Sequence, residues 1–212
     1  IYDQVLQDAV GKHLRLKAAW QERALRRLAA QTIILLDEPY MASFGSTFIA
    51  LSRQQVMDLI EEVLAGLHGL KGVHCCGNTD WSLVLSTSVD IISVDAYDYA
   101  ATLVPHAEAI QRFLQRGGII AWGIVPAGAA AQSETAASLV ERLEAAMDRL
   151  AAAGVSREAL RAAGLVAPSC SLAALDVPLA ESILDLVRAV SVEMRRRYIK
   201  PAHDGREPAL GR

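Results

Sequence analysis

The chain has 212 residues, 52 % apolar and 21 % charged, with a formal net charge of −3. That composition suits a globular chain with a large core. It excludes a nucleic-acid binder, because a near-neutral balance gives no basic field and aromatics reach only 5 %. It also excludes a membrane span, since no apolar run approaches the about 20 residues that a bilayer requires. Charges spread through residues 1–27 are unlike a signal peptide. Three cysteines, an odd number, make no disulfide framework and point to a reducing cytoplasm.

Residues 1–30 form one long helical segment rich in Ala, Leu, Lys, Arg and Gln. The chain is helical from Ile1, without a Met, which reads as a fragment or a missing beginning. Residues 32–36, TIILL, are a continuous apolar run of the kind buried on both faces of a parallel sheet. Asp37-Glu38-Pro39 ends it, because proline cannot extend a ladder. Residues 43–46 read as loop, and Ser52 caps a helix over 53–67.

The unit then recurs. Strands are expected at 72–76, 90–95, 118–125 and 165–167. Helices are expected at 80–85, 103–115, about 133–153 and 178–198, the last ending in Arg195-Arg196-Arg197 at the negative end of its dipole. Residues 201–212 read as a mobile tail. Five strand–helix units in strict alternation leave a doubly wound sheet or a (β/α)8 barrel. No Gly-x-Gly-x-x-Gly follows a strand, which weakens the dinucleotide fold. Polar residues gather just after the strands, as active-site residues do in barrels of the TIM type. The expectation is therefore an α/β chain covering about the last five units of a (β/α)8 barrel. Residues 1–30 are its leading helix and 31–200 the C-terminal part of the barrel. Three units would come from upstream or from another chain, by a homo-oligomer or a different subunit.

The stretch GVHCCGNTDW, residues 72–81, carries two of the three cysteines. It reads as a metal site, a redox pair or a plain buried strand. Alternation along a strand puts His74 and Cys76 on one face and Cys75 on the other. Adjacent cysteines on opposite faces do not readily bridge, and Cys75 suits the core. Imidazole and thiolate on one face suit zinc. Further ligands would come from other strand ends, where Cys170 and Asp95 are the candidates. Gly77 and Asn78 turn the chain, and Thr79 or Asp80 caps the next helix. Trp81 and Trp122 could wall a dry mouth or simply pack. Asn78, Tyr97 and Asp98 are candidates for substrate contact. His13, His68, His106 and His203 read as surface residues.

LLDEP, HCCGNTDW, IISVDAY and PSC, in this order between residues 32 and 172, resemble the C-terminal half of cobalamin-independent methionine synthase. The wider superfamily includes the corrinoid-dependent methyltransferases that methylate coenzyme M, whose wording HCCGN is similar to, and uroporphyrinogen decarboxylase. The resemblance implies a (β/α)8 barrel in which Zn2+ activates a thiol substrate, homocysteine, for attack on a methyl donor. It implies His74, Cys76 and Cys170 as metal ligands. The turn of Asp37 and Glu38 would hold the amino-acid part of the substrate, Asp37 in closer contact. Asp95 stands where the family carries a fourth, glutamate ligand. It is one methylene shorter, so it either ligates or orients a ligand. Asp37 and Asp95 are thus the expected catalytic carboxylates. The synthase also has a histidine after the next strand that protonates the folate leaving group. Here that stretch runs AWGIVPAG, without histidine. A methylated corrinoid, free or on its carrier protein, fits that departure better than folate. The other readings are a metal-free, decarboxylase-like enzyme and a non-catalytic, ligand-binding barrel.

Overall fold

The computed structural model describes residues 3–45 and 51–198. The leading helix α1 (Gln4–Leu25) is capped by the Asp3 carboxylate and is shorter than expected, ending in turns from Arg26. Then come β1 (Ile33–Asp37), α2 (Arg53–Leu64), β2 (Leu70–Cys75), α3 (Trp81–Leu85), β3 (Ile91–Val94) and α4 (Ala96–Tyr99). They are followed by α5 (Ala107–Gln115), β4 (Ile119–Val125), α6 (Ala136–Ala152), α7 (Arg157–Ala162), β5 (Gly164–Pro168) and α8 (Val177–Tyr198). Short 3-10 turns occupy Pro39–Ser43, Ala100–His106 and Ala129–Ser133. The expected tail at 201–212 lies outside the described residues, as do Ser46 and His203.

The five strands among the described residues are parallel and lie in sequence order, β1-β2-β3-β4-β5. One face carries the core. Val73 and Cys75, Ile92 and Val94, and Ile120, Trp122 and Ile124 pack there with the helices. The residues between them, including His74, Ser93 and Gly123, turn to the other face. The expectation that residues 32–36 are buried on both faces fails. In β1, exposed Ile33, Leu35 and Asp37 alternate with half-buried Ile34 and Leu36. Among the described residues the strand has a neighbour on one side only, and its second face is uncovered. Leu165, on the opposite edge strand, is likewise exposed.

Local chemistry explains the other shifts of boundary. Ser52 and Gln55 form a reciprocal capping box that starts α2. Pro105 lacks an N–H, so the expected helix over 103–115 enters as a 3-10 turn and becomes α-helical only at Ala107. Thr135 caps α6, which starts at Ala136 and not near 133, and Ser156 caps the unanticipated α7. The Arg195–Arg197 run does end α8, and Arg196 and Arg197 pair with Glu193.

Two side chains lock the strand entrances opposite the polar end of the sheet. Glu22 of α1 is 2 % exposed and accepts the His68 and Gly69 backbone N–H groups and the Thr32 hydroxyl. Burial opposes its charge, but those donors hold the carboxyl below the usual carboxylate range. Arg116 donates to the Leu85, Thr87 and Val89 carbonyls at 3.4, 2.8 and 3.1 Å, closing the loop that leads into β3.

Candidate metal centre

The strand ends carry the chemistry. His74 lies in β2 beside Asp37 of β1 and Ser93 of β3 in the sheet register. Cys75 points into the core at 1 % exposure. Cys76, just past the strand, returns to the His74 face. The chain then turns at Gly77, where a Cβ would stand 2.8 Å from the Ala42 Cβ, so only glycine fits without displacement. The Thr79 hydroxyl ties this turn to the Met41 carbonyl at 2.9 Å, and Asp80 caps α3 through the Ser82 N–H.

Cys170 arrives from the far side of the sheet. Ser169 N–H donates to the Val125 carbonyl at 2.7 Å, and the Ser169 hydroxyl accepts Ala127 N–H at 3.0 Å. Gly123 makes room: a Cβ there would lie 2.8 Å from the Ser169 Cα and 2.9 Å from the Pro168 carbonyl oxygen. A flat sheet would hold β2 and β5 about 14 Å apart, three strand spacings. Yet the donor atoms of His74, Cys76 and Cys170 all lie within 4.8 Å of one another. The strand ends therefore roll toward this face.

The three donors sit in different surroundings. His74 is 8 % exposed. Its Nδ1 is 3.0 Å from the Ser93 hydroxyl, while Nε2 is buried with no hydrogen-bond partner among the described residues. An unpaired buried polar atom is costly, and a ligand resolves that cost. Cys76 and Cys170 are half-buried and free. Burial raises the Cys76 thiol above its ordinary pKa, and the adjacent Cys170 raises it further. A bound cation would reverse that sign. Ligands of a tetrahedral zinc sit about 3.5–3.8 Å apart. Closing this group around such an ion takes shifts of no more than about 1 Å. The donor set fits.

The other sequence candidates divide. Asp95 is buried on the same face but lies outside the three-residue group. Its carboxylate accepts Asp98 N–H at 3.0 Å as the cap of α4. Burial lifts its pKa, against those backbone donors. Asp37 and Glu38, expected to hold the substrate from one turn, face opposite sides of the sheet. Asp37 shares the His74 face, whereas Glu38 turns to the helix side and lines a cavity of about 400 Å³ with Leu36, Tyr40, Val56 and Ile60. Burial, and then the Asp37 charge, raise the Glu38 pKa. Asn78 is exposed at the turn. The Tyr97 hydroxyl is committed to the Glu134 carboxylate at 2.7 Å, and its ring lies under Arg142.

Trp81 and Trp122 do not wall the mouth; each is 1 % exposed within the core on the helix side. His13 and His68 are exposed, but His106 is half-buried, 3.9 Å from Asp80. The residue missed from the sequence is Ser93. Its signal was available: it is the one polar residue within the strand core IISV, on the face of Asp95.

Fold and cluster together define a parallel α/β protein with an imidazole–dithiol group at the C-terminal ends of its strands, able to hold a metal ion. A scan against protein-family models finds no match, and a search of curated proteins finds none. No helix among the described residues is long and apolar enough to cross a membrane.

Proposed function

We propose that the protein is a zinc-dependent methyltransferase that activates a thiol substrate, homocysteine, giving methionine in a reducing cytoplasm. The observation that carries this reading is the group His74, Cys76 and Cys170, together with a buried His74 Nε2 that has no hydrogen-bond partner among the described residues. Two thiolates and one imidazole suit zinc, and three protein ligands leave a fourth position open, the pattern of catalytic sites. Held there, zinc would supply the Lewis acidity that keeps a thiol of pKa about 8.5 anionic at neutral pH.

This chain's residues would do the rest. Asp37, exposed beside His74, binds the substrate ammonium group. Asp95, anchored on α4, keeps a negative field near the ligands without joining them. The substrate sulfur forms a bond to the methyl carbon as the carbon–donor bond breaks. The electron pair stays on the donor, and the thiol proton has already gone to solvent. A methylated corrinoid accepts that pair without needing a proton. This accords with the absence of histidine in the stretch after β4.

The frame proposed is a (β/α)8 barrel of which these strands form an arc. Sequential parallel strands, a core on one face and the exposed Ile33, Leu35 and Leu165 on the other support it. Exposed Val5, Val10 and Trp20 on α1 and Leu184 and Val192 on α8 extend the uncovered apolar surface at both flanks. The remaining strands come from another segment or a second chain.

Elemental analysis of purified protein tests the reading, with Cys76→Ala as control. About one zinc per chain in the wild type, lost in the variant, is expected. Methionine should then form from homocysteine and methylcobalamin faster than from methylfolate. No zinc after anaerobic reconstitution overturns the proposal in favour of a metal-free barrel.

A further inference from the structure

We propose that Ser93 is the positioning residue of this centre: its hydroxyl accepts the Nδ1 proton of His74 and thereby presents Nε2, lone pair outward, to the ion. The inference rests on the reading of His74, Cys76 and Cys170 as metal ligands. Four observations carry it. Ser93 and His74 are direct partners in the parallel register of β2 and β3. The Nδ1–Oγ separation is 3.0 Å, and Ser93 is 4 % exposed, so water does not compete freely for the ring. Nε2 has no other partner among the described residues. The strand around Ser93 is otherwise Ile91, Ile92 and Val94, all buried, so the hydroxyl is the polar group that the strand offers this ring.

The chemistry decides the tautomer. With the proton on Nε2, the ring would hold a buried N–H that has no acceptor among the described residues, the nearby thiol sulfurs being weak acceptors at best. With the proton on Nδ1, that N–H has a hydroxyl acceptor in range, and Nε2 keeps the lone pair a metal needs. The contact also fixes the ring plane. Without it, a half-turn about the Cβ–Cγ bond would replace Nε2 with a carbon edge. Metal-bound histidines are held in this way by an acceptor on their other nitrogen, and losing that acceptor lowers metal affinity about 10–100-fold.

The test uses the full chain with Ser93→Ala and Ser93→Thr, the latter keeping the hydroxyl and suiting a strand. Zinc affinity is measured by competition with a chromophoric chelator. It should fall about 10–100-fold in Ser93→Ala and return to within a few-fold of wild type in Ser93→Thr. In metal-free wild type at pH 8, the ¹⁵N shifts of His74 should show Nδ1 protonated and Nε2 bare. Equal affinity in Ser93→Ala and wild type overturns the role of Ser93 while leaving the centre intact. A proton found on Nε2 overturns it as well. A wild type that binds no zinc defeats the metal reading, while the ¹⁵N shifts still decide which nitrogen Ser93 holds. If Ser93→Ala does not fold, Ser93→Thr and the wild-type shifts carry the test.

Discussion

Gly123→Ala tests the link between sheet geometry and the cluster. The added Cβ would sit 2.5 Å from the Val94 carbonyl oxygen, 2.8 Å from the Ser169 Cα and 2.9 Å from the Pro168 carbonyl oxygen. All three atoms are backbone, so no flexible side-chain end can give way. Val94 belongs to β3 and Pro168 to β5, so the methyl is wedged between the strands flanking β4. Real Cβ contacts essentially never fall below 3.0 Å, so the strands must part by about half an ångström. Overpacking of this kind costs about 1–3 kcal/mol, or about 2–12 °C of melting temperature in a chain this size. Cys170, carried on the β5 end, moves away from His74 and Cys76, and zinc affinity should drop at least tenfold. Gly164→Ala is the comparison. That residue begins the same strand, and its Cβ would be 3.0 Å from the Leu160 carbonyl oxygen and 3.2 Å from Trp122 Nε1. It should lower stability and leave zinc affinity within about threefold. Thermal melting and chelator competition read both quantities. Wild-type melting and wild-type affinity in Gly123→Ala would refute the argument that this glycine admits the Cys170 segment.

Glu22→Gln should destabilise the fold by about 1–3 kcal/mol at neutral pH, because buried N–H groups lose a charged acceptor. The folded pKa of Glu22 lies below the unfolded value of about 4.3, so its contribution is present above that pH and lost as pH falls through the folded pKa. Urea titrations between pH 3 and 7 should show a shallower acid limb in the variant; parallel limbs would remove Glu22 from the ledger. Asp95→Asn keeps a good helix cap and should retain zinc within about tenfold; complete loss would make Asp95 a direct ligand. Asp37→Asn should raise the KM for homocysteine with zinc content unchanged, and an unaltered KM would detach Asp37 from the substrate.

Much of this was legible in the sequence, for identifiable reasons. Period-two alternation sets the faces of His74 and Cys75, because a strand leaves no other choice, and Cys76, one residue past the strand end, follows the same rule. The same rule, applied to Asp37 and Glu38, separates them, whereas the resemblance implied a turn that holds the substrate with both. The burial of β1 was misjudged because an apolar run reports what a strand can bury. It does not report whether a neighbour is there to bury it. The division of helix 103–115 was within reach, since Pro105 sits inside it. The role of Gly123 was not, and Ser93, though it stands out as the polar residue of IISV, could not be paired with His74, because both depend on which residue of another strand lies alongside and register is a tertiary fact.

The arrangement argues for a working centre over a structural staple. Structural zinc sites close all four positions with protein ligands and clamp loops that otherwise have little core. Here the proposed ligands rest at the ends of β2 and β5 in a sheet that already has a core of its own, with Val73, Ile92, Ile120 and Trp122 almost fully buried. A metal is not needed to hold those strands. The buried carboxylate on the same face, Asp95, is occupied with α4 and lies outside the three-residue group. What remains is a three-donor group, two of its members half-exposed, at the end of the sheet where catalytic groups collect. Removing the metal should therefore leave secondary structure and the cooperative melt largely in place, unlike the unfolding that follows metal loss from small zinc modules. Circular dichroism before and after dialysis against a chelator reads this directly. Collapse of the spectrum on chelation would show that the ion holds the fold, and the catalytic reading would lose its main support.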